Sequence, residues 1–484
     1  MQKQWESVIG LEVHLQLKTK TKVWCGCSAD YDKDPPNTHT CPICLGHPGA
    51  LPRLNKKVVE YALKGALALN CRINRESGFD RKNYFYPDMP KNYQITQFDR
   101  AYAEKGRLEV RLKNGREISV GITKVQIEED TGKSIHVAHE SLMNYNRSGI
   151  PLIEIISDPD MRSSEEAYEY LNTLKSVIKY TGISDVSMEL GSLRCDANVS
   201  VMEKGSPVFG TRVEIKNMNS FKAVARAIDY EIGRQITTLE EGGEIYQETR
   251  LWDEDQQITS VMRSKEEAMD YRYFPEPDLL KLVISDEEIE AIRKTLPETK
   301  AHKTERFLSD YGISSYDANL ISADIELSDY YEAVVKASGN PKAAANWILG
   351  DVFRVMKERE IGIEAFPMLP ADLGAIIRLI DGGTISGKLG KELFEKKLFD
   401  PRSPETIVRE DGMSQVSDKS AIEALVNEVL GRSGKMIDDY HAADEGRKPR
   451  VLKGLVGQVM KASQGKANPA LVTALIEERL RGNE

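Results

Sequence analysis

Five segments of this chain set an acid against an apolar stripe. In VIGLEVHLQL, Val8 to Leu17, the two-residue alternation of a strand puts Leu11, Val13, Leu15 and Leu17 on one side and Glu12, His14 and Gln16 on the other. KVQIEED sets Lys124, Gln126 and Glu128 against Val125 and Ile127, and PLIEIIS sets Glu154 against Ile153 and Ile155. SLRCDANVSV sets Arg194, Asp196, Asn198 and Ser200 against Leu193, Cys195, Ala197 and Val199; TRVEIKN sets Arg212, Glu214 and Lys216 against Val213 and Ile215. Glu129 points inward in a regular strand and needs a bulge or a strand end to join the others.

Acids are depleted from strands, so one per strand, repeated five times, carries information. Two bare carboxylates about 4 Å apart repel by roughly 4 kcal/mol at an effective dielectric of about 20. If these groups converge, they must raise their own pKa values or recruit a counter-ion. An oxygen-rich set with one His suits a hard cation, Mg²⁺ above all, which completes its shell with water and substrate phosphate. A half-wet antiparallel sheet with charges on its solvent face gives the same alternation, and His14 could equally be a hydrogen-bonded structural residue. Nearby cations (Lys91, Arg147, Arg194, Lys216) and neutral donors (Asn83, Asn198, Asn217) would suit an anionic guest. Two loops of like composition, NYFYPDMPKNYQ and YRYFPEPD, could form a rigid pocket wall or pack beneath a sheet.

The elements that must position these residues change character along the chain. Up to about Ser285 short alternating runs are broken by Gly, Pro and Asn, with helical stretches such as SSEEAYEYLNTLKSVIKYTG between them, which predicts an α+β domain on a largely antiparallel sheet. From about Asp286 a 3.6-residue period takes over, and a break at DPRSPETI introduces a last helical unit. The order is sheet domain, all-α helical domain, small helical tail.

Cys25, Cys27, Cys41 and Cys44 form a C-x-C and a C-x-x-C pair. Four thiolates from two tight turns close a tetrahedral Zn²⁺ shell and leave no open position, so such a site is structural. Redox pairing or buried thiols are the other readings; Cys71 and Cys195 lack the spacing and read as core. Six cysteines in 484 residues do not make a disulfide scaffold. With no leader-like start and no run near ~18 apolar residues, a cytoplasmic protein without a membrane span is expected. GGTISGKL, Gly382 to Leu389, satisfies G-x-x-x-x-G-K but has Leu389 in place of the Mg²⁺-binding hydroxyl and no strand before it, so it reads as a helix end and turn.

Net charge is −10, so any nucleic-acid contact must be local. From His441 onward eight cations stand against five acids, and Arg447, Lys448, Arg450, Lys453, Lys461 and Lys466 are the candidates for phosphate contact.

The assembled strings VIGLEVHLQL, FDRKNYFYPDMPKNYQITQFD, IEEDTGKS, PLIEIISDPDMRSSEEA, GSLRCDANVSV, VEIKNMNSF, DYRYFPEPDL and GLVGQVMKASQGKANP closely resemble the GatB family of aspartyl/glutamyl-tRNA amidotransferase subunits, from the first strand to the last helix. The resemblance implies a cradle domain over residues 1–293 with a zinc-binding insertion near 25–44, a helical domain over 294–403, and a YqeY-like tail over 404–484 that binds tRNA. It implies ATP- and Mg²⁺-dependent phosphorylation of glutamate on tRNA(Gln), or aspartate on tRNA(Asn). Ammonia from a partner glutaminase subunit then displaces the phosphate, and a small third subunit ties the two together. The positions matching the family's catalytic metal site are Glu12, His14, Glu128, Glu129, Glu154, Asp196 and Glu214, while Lys91 resembles a tunnel-side position and the cysteines a structural zinc site. Nothing resembles an amidase Ser–Lys array, so an ammonia-producing partner is expected.

Overall fold

In the computed structural model, which describes residues 4–137, 139–264, 271–413, 419–443, 446–463 and 467–481, the alternating segments become strands. In chain order these are β1 (Trp5–Gln16), β2 (Arg72–Ile73), β3 (Glu76–Ser77), β4 (Asp80–Asn83), β5 (Tyr93–Thr96), β6 (Ala103–Arg111), β7 (Glu117–Glu129) and β8 (Lys133–Val137). They continue with β9 (Glu140–Asn144), β10 (Pro151–Ser157), β11 (Leu193–Glu203), β12 (Val213–Lys216), β13 (Glu248–Asp253), β14 (Ile258–Ser264), β15 (Phe274–Pro275) and β16 (Leu282–Val283). Nine of them form one sheet in the order β14-β13-β12-β11-β1-β10-β7-β6-β2. Its pairings are antiparallel except β12 with β13. The expected α+β architecture with a largely antiparallel sheet is present.

Three helices cover the apolar face: α1 (Lys56–Ala68), α2 (Ser164–Thr181) and α3 (Phe221–Glu240). α2 starts where the Ser163 side chain accepts a hydrogen bond from the Glu166 amide and stops at Gly182, whose φ of 69° suits glycine. Its Tyr170, Leu171, Leu174 and Ile178 pack into one core with Ala62 of α1, Ile228 of α3 and the stripe Ile9, Leu11, Val13, Leu15 of β1. Burying that stripe leaves Glu12 and His14 no option but the opposite face. A three-stranded sheet, β15-β4-β5, joins the two look-alike aromatic loops: Phe274 pairs with Arg81, and Phe98 stacks on Tyr273 at 4.0 Å.

The chain divides into two units, Met1–Thr299 and Lys300–Glu484. The helical rhythm begins inside the first: α4 (Asp286–Arg293) is closed by a Ser285/Glu288 capping box and buries Ile289 in the first core. In the second unit, helices from Lys300–Ser309 to Pro404–Glu410 enclose one core, including Phe307, Tyr331, Ile376, Phe394 and Ile407. Helices Lys419–Arg432, Gly434–Ala442, Lys448–Ala462 and Pro469–Arg481 enclose another around Val426, Leu455, Val459 and Ile476. The GGTISGKL stretch is a turn between helices: Pro370–Asp381 ends at Gly382, Gly383 takes a φ of +69°, and Ser386 caps Gly387–Lys397.

Candidate active site

Register brings the acids into rows across the polar face. His14 lies opposite Glu154 on β10, and Glu154 lies opposite Gln126 on β7. His14 Nε2 is 3.5 Å from Glu154 Oε1 and 3.9 Å from Glu128 Oε2. One ligand atom from each of His14, Glu128 and Glu154 lies within 4.8 Å of the others, a spacing a single metal ion can bridge. Burial holds the His14 imidazole below its usual pKa, so it stays neutral and keeps a lone pair for a cation. Burial, then the neighbouring Glu128 and Glu12, push the Glu154 carboxyl well above the usual range.

The second row crosses β1, β11 and β12. Glu12 faces Asp196, and Asn198 faces Glu214. Asn198 Nδ2 donates to Glu12 Oε1 at 2.8 Å, Lys216 bonds Asp196 and sits 3.2 Å from Glu214, and Thr249 donates to Glu214 at 2.8 Å. Two buried amide oxygens, Gln126 Oε1 and Asn198 Oδ1, have no hydrogen-bond partner among the described residues. Carbonyl-type oxygens are ordinary partners of a hydrated hard cation, so the donor set fits Mg²⁺.

Glu129 does not join the cluster. It ends β7 on the opposite side of the strand, where its carboxylate is bonded by Lys91 and by the Ile95 amide at 2.9 Å. The strand end that could have swung it toward Glu128 instead serves this pair. Asn83 donates to the carbonyls of Tyr271 and Arg272, and Asn217, at φ 71°, donates to the Trp252 carbonyl, so both side chains brace loops. Arg147 and Arg194 converge on Asp130, at 3.7 and 2.8 Å, and Gln16 adds a bond at 2.9 Å. Burial opposes the Asp130 charge, but the two arginines override it and hold this carboxyl below its usual range.

Sequence reasoning missed Asp130 and Lys82. Lys82 on β4 faces Glu128 and Glu154: burial works against its ammonium, and those carboxylates hold it charged nonetheless. It also lies 5.0 Å from the Tyr271 ring centre. Glu128 also accepts from Thr96 at 2.6 Å and Gln94 at 3.3 Å, both on β5, and from Gln126 of its own strand at 3.1 Å. The β4–β5 hairpin therefore supplies the donors on that side; the available signal was the polar run DRKN beside the aromatic loop.

The four cysteine sulfurs also lie within 4.8 Å of one another, and all four are free thiols. Cys44 is held down to about 5 by a hydrogen bond from Cys25 and by the nearby Lys22 ammonium. Two asparagines tie this loop region to β9 and the segment after it: Asn37 donates to the Met143 carbonyl and accepts from the Tyr145 amide, and Asn146 donates to the Pro35 carbonyl and accepts from the His39 amide.

In the tail, Arg447, Arg450, Lys453 and Lys461 are exposed and Lys448 half-buried, off the buried Leu455 and Val459 of the same helix. Lys466 lies outside the described residues.

A sheet face of converging acids, backed by helices and followed by two helical cores, defines a catalytic domain with helical extensions. Residues 7–290 match the sequence profile of the GatB/GatE catalytic domain, and residues 329–480 that of the GatB domain. The chain is 68% identical over 481 residues to the GatB subunit of the aspartyl/glutamyl-tRNA(Asn/Gln) amidotransferase from Fusobacterium nucleatum, covering 99% of this chain and all of the relative. It is 51% identical to that of Carboxydothermus hydrogenoformans and 49% to that of Geotalea uraniireducens, with at least 99% of each chain covered. The chain belongs to the GatB family of aspartyl/glutamyl-tRNA(Asn/Gln) amidotransferase subunits.

Proposed function

We propose that this chain is the subunit that activates and amidates the side-chain carboxylate of glutamate on tRNA(Gln), of aspartate on tRNA(Asn), or of both. The observation that carries this is the meeting of His14, Glu128 and Glu154 on one sheet face, with Glu12, Asp196 and Glu214 in the adjoining row. A carboxylate does not react with ammonia, so ATP must first convert it to an acyl phosphate, releasing ADP; ammonia then attacks the acyl carbon and phosphate leaves. Mg²⁺ held by these residues would neutralise the two anions that must meet. Neutral His14 offers a lone pair, and Lys82 and Lys216 bring fixed positive charge to the two rows. Asn198 and Gln126 orient the carboxylates through their amide hydrogens. We assign the Lys91–Glu129 pair to the approach of ammonia rather than to metal binding.

Ammonia comes from a glutaminase subunit, and a small third subunit finishes the assembly in the cytoplasm; among the described residues no helix is long and apolar enough to cross a membrane. The four cysteines are assigned to structural zinc. Residues 1–293 are assigned the chemistry, 294–403 the helical domain, which extends through helix Pro404–Glu410 with Ile407 in its core, and the cations beyond it the grip on tRNA. The test is amide formation on both mischarged tRNAs by the assembled subunits, with ATP and with or without Mg²⁺. Amidation that ignores Mg²⁺, or none at all, would overturn the proposal.

A further inference from the structure

Lys22 is fully buried, with no exposed surface, one residue before the equally buried Val23. Burying an ammonium is costly unless its charge and all its hydrogens are met. Among the described residues no carboxylate pairs with it. Its Nζ instead has three acceptors: His39 O at 2.7 Å, Tyr145 O at 3.3 Å and Cys44 Sγ at 3.8 Å. Three acceptors match the three hydrogens of an ammonium, whereas a neutral amine has only two. Its backbone is held as closely, since its amide donates to Cys27 O at 3.0 Å. Gly149 lies against the Lys22 stem and Cys44, where a Cβ would make ordinary contacts at 3.5 and 3.7 Å; its φ of +85° is what calls for glycine here. Of the three acceptors, the sulfur alone can carry a negative charge.

We infer that Lys22 is the buried counter-cation of a tetrathiolate metal centre, donating one hydrogen to the Cys44 sulfur while His39 and Tyr145 fix its position. The inference rests on the zinc assignment and adds a residue to it. Four thiolates around a divalent ion leave a net charge of about −2, and an N–H···S contact inside a low-dielectric pocket offsets part of that charge and favours the deprotonated sulfur. Lys22 is thus a positioning residue for the centre rather than a ligand. By its three contacts it also couples the turn at Cys44 to the segment that precedes Arg147.

The test uses the intact multisubunit enzyme and reads zinc transfer to a chromophoric chelator. Wild type is expected to hold zinc stoichiometrically, and Lys22→Met to hold it about 10- to 100-fold less tightly, the usual loss when an outer partner of a metal ligand is removed. Zinc held equally by wild type and Lys22→Met overturns the inference and leaves the zinc assignment standing; a wild type without zinc overturns both. Should Lys22→Met not fold, acylation of lysines on wild type decides. Lys22 is expected to stay unmodified in the zinc-loaded protein and to react after the metal is stripped, and equal modification in both states overturns the inference.

Discussion

His14 and Glu154 sit directly opposite one another across β1 and β10, with the imidazole Nε2 3.5 Å from the carboxylate. Neither residue is adjacent in the chain to anything else in the cluster, so the pair exists only because the two strands align in this register. Glu154→Gln and Glu128→Gln keep shape and remove charge. Each should cut ATP-dependent amidation by about two orders of magnitude or more, with tRNA affinity kept, since a metal's charge stabilisation is worth several kcal/mol. Glu12→Ala and Asp196→Ala should behave likewise; unchanged turnover in all four would leave the polar face a mere solvent surface.

Asp130 offers a pH-dependent test. Replacing Arg194 by Met leaves a buried carboxylate with Arg147 as its remaining guanidinium partner. Removing one partner of a buried pair costs roughly 3–5 kcal/mol; Arg194 is 38% exposed, so about 2 kcal/mol is expected. Because the folded carboxyl is depressed, its stabilisation is present above the unfolded value of about 3.9 and is lost as pH falls through the lower folded value. Denaturant unfolding should therefore show a gap between wild type and variant that is full at neutral pH and narrows below about pH 4.

Removing Cys44 should abolish zinc binding. Cys44→Ser is expected to emerge from purification with substoichiometric zinc and a transition lowered by several degrees, read by metal analysis and calorimetry. A variant as zinc-rich and heat-resistant as wild type would refute the structural assignment.

The tail prediction depends on where the cut is made. Helix Pro404–Glu410 buries Ile407 completely and most of Val408 in the second core, so deletion from Pro404 strips that core as well as the tail. Ending the chain after Met413 should keep the second core and weaken tRNA binding. Within the tail, Arg450→Ala and Lys453→Ala should each lower the salt dependence of tRNA affinity by somewhat less than one counter-ion. Filter binding across a salt series checks both, and unaltered affinity of the shortened chain would dismiss the tail from tRNA recognition.

Much of the acidic face was legible in the sequence because alternation fixes which side of a strand a residue takes, and the hydrophobic stripe decides which side is wet. Glu12, His14, Glu128, Glu154, Asp196 and Glu214 follow from that rule. Their meeting does not, since it requires β1 to align with strands some 140 and 190 residues later, a matter of register and sheet order. Lys82 was hidden for the same reason: its strand belongs to a separate small sheet. Glu129 shows the rule's strength, as the alternation that placed it inward prevailed over the bulge expected to recruit it. The start of α4 at Asp286 matched the change of rhythm, yet its packing in the first core could not be read from periodicity, which reports a buried face but not what covers it.

The position of β1 at the middle of the nine-stranded sheet governs how the molecule is born. Both its neighbours, β10 and β11, lie far downstream, the second ending at Glu203. At a synthesis rate of about 5–20 residues per second, β1 waits on the order of ten seconds or more after its own synthesis for its second partner. During that interval Ile9, Leu11, Val13 and Leu15 have no sheet to join, and a nascent chain stalled before Ser157 should be a preferred client of whatever guards unfinished polypeptides.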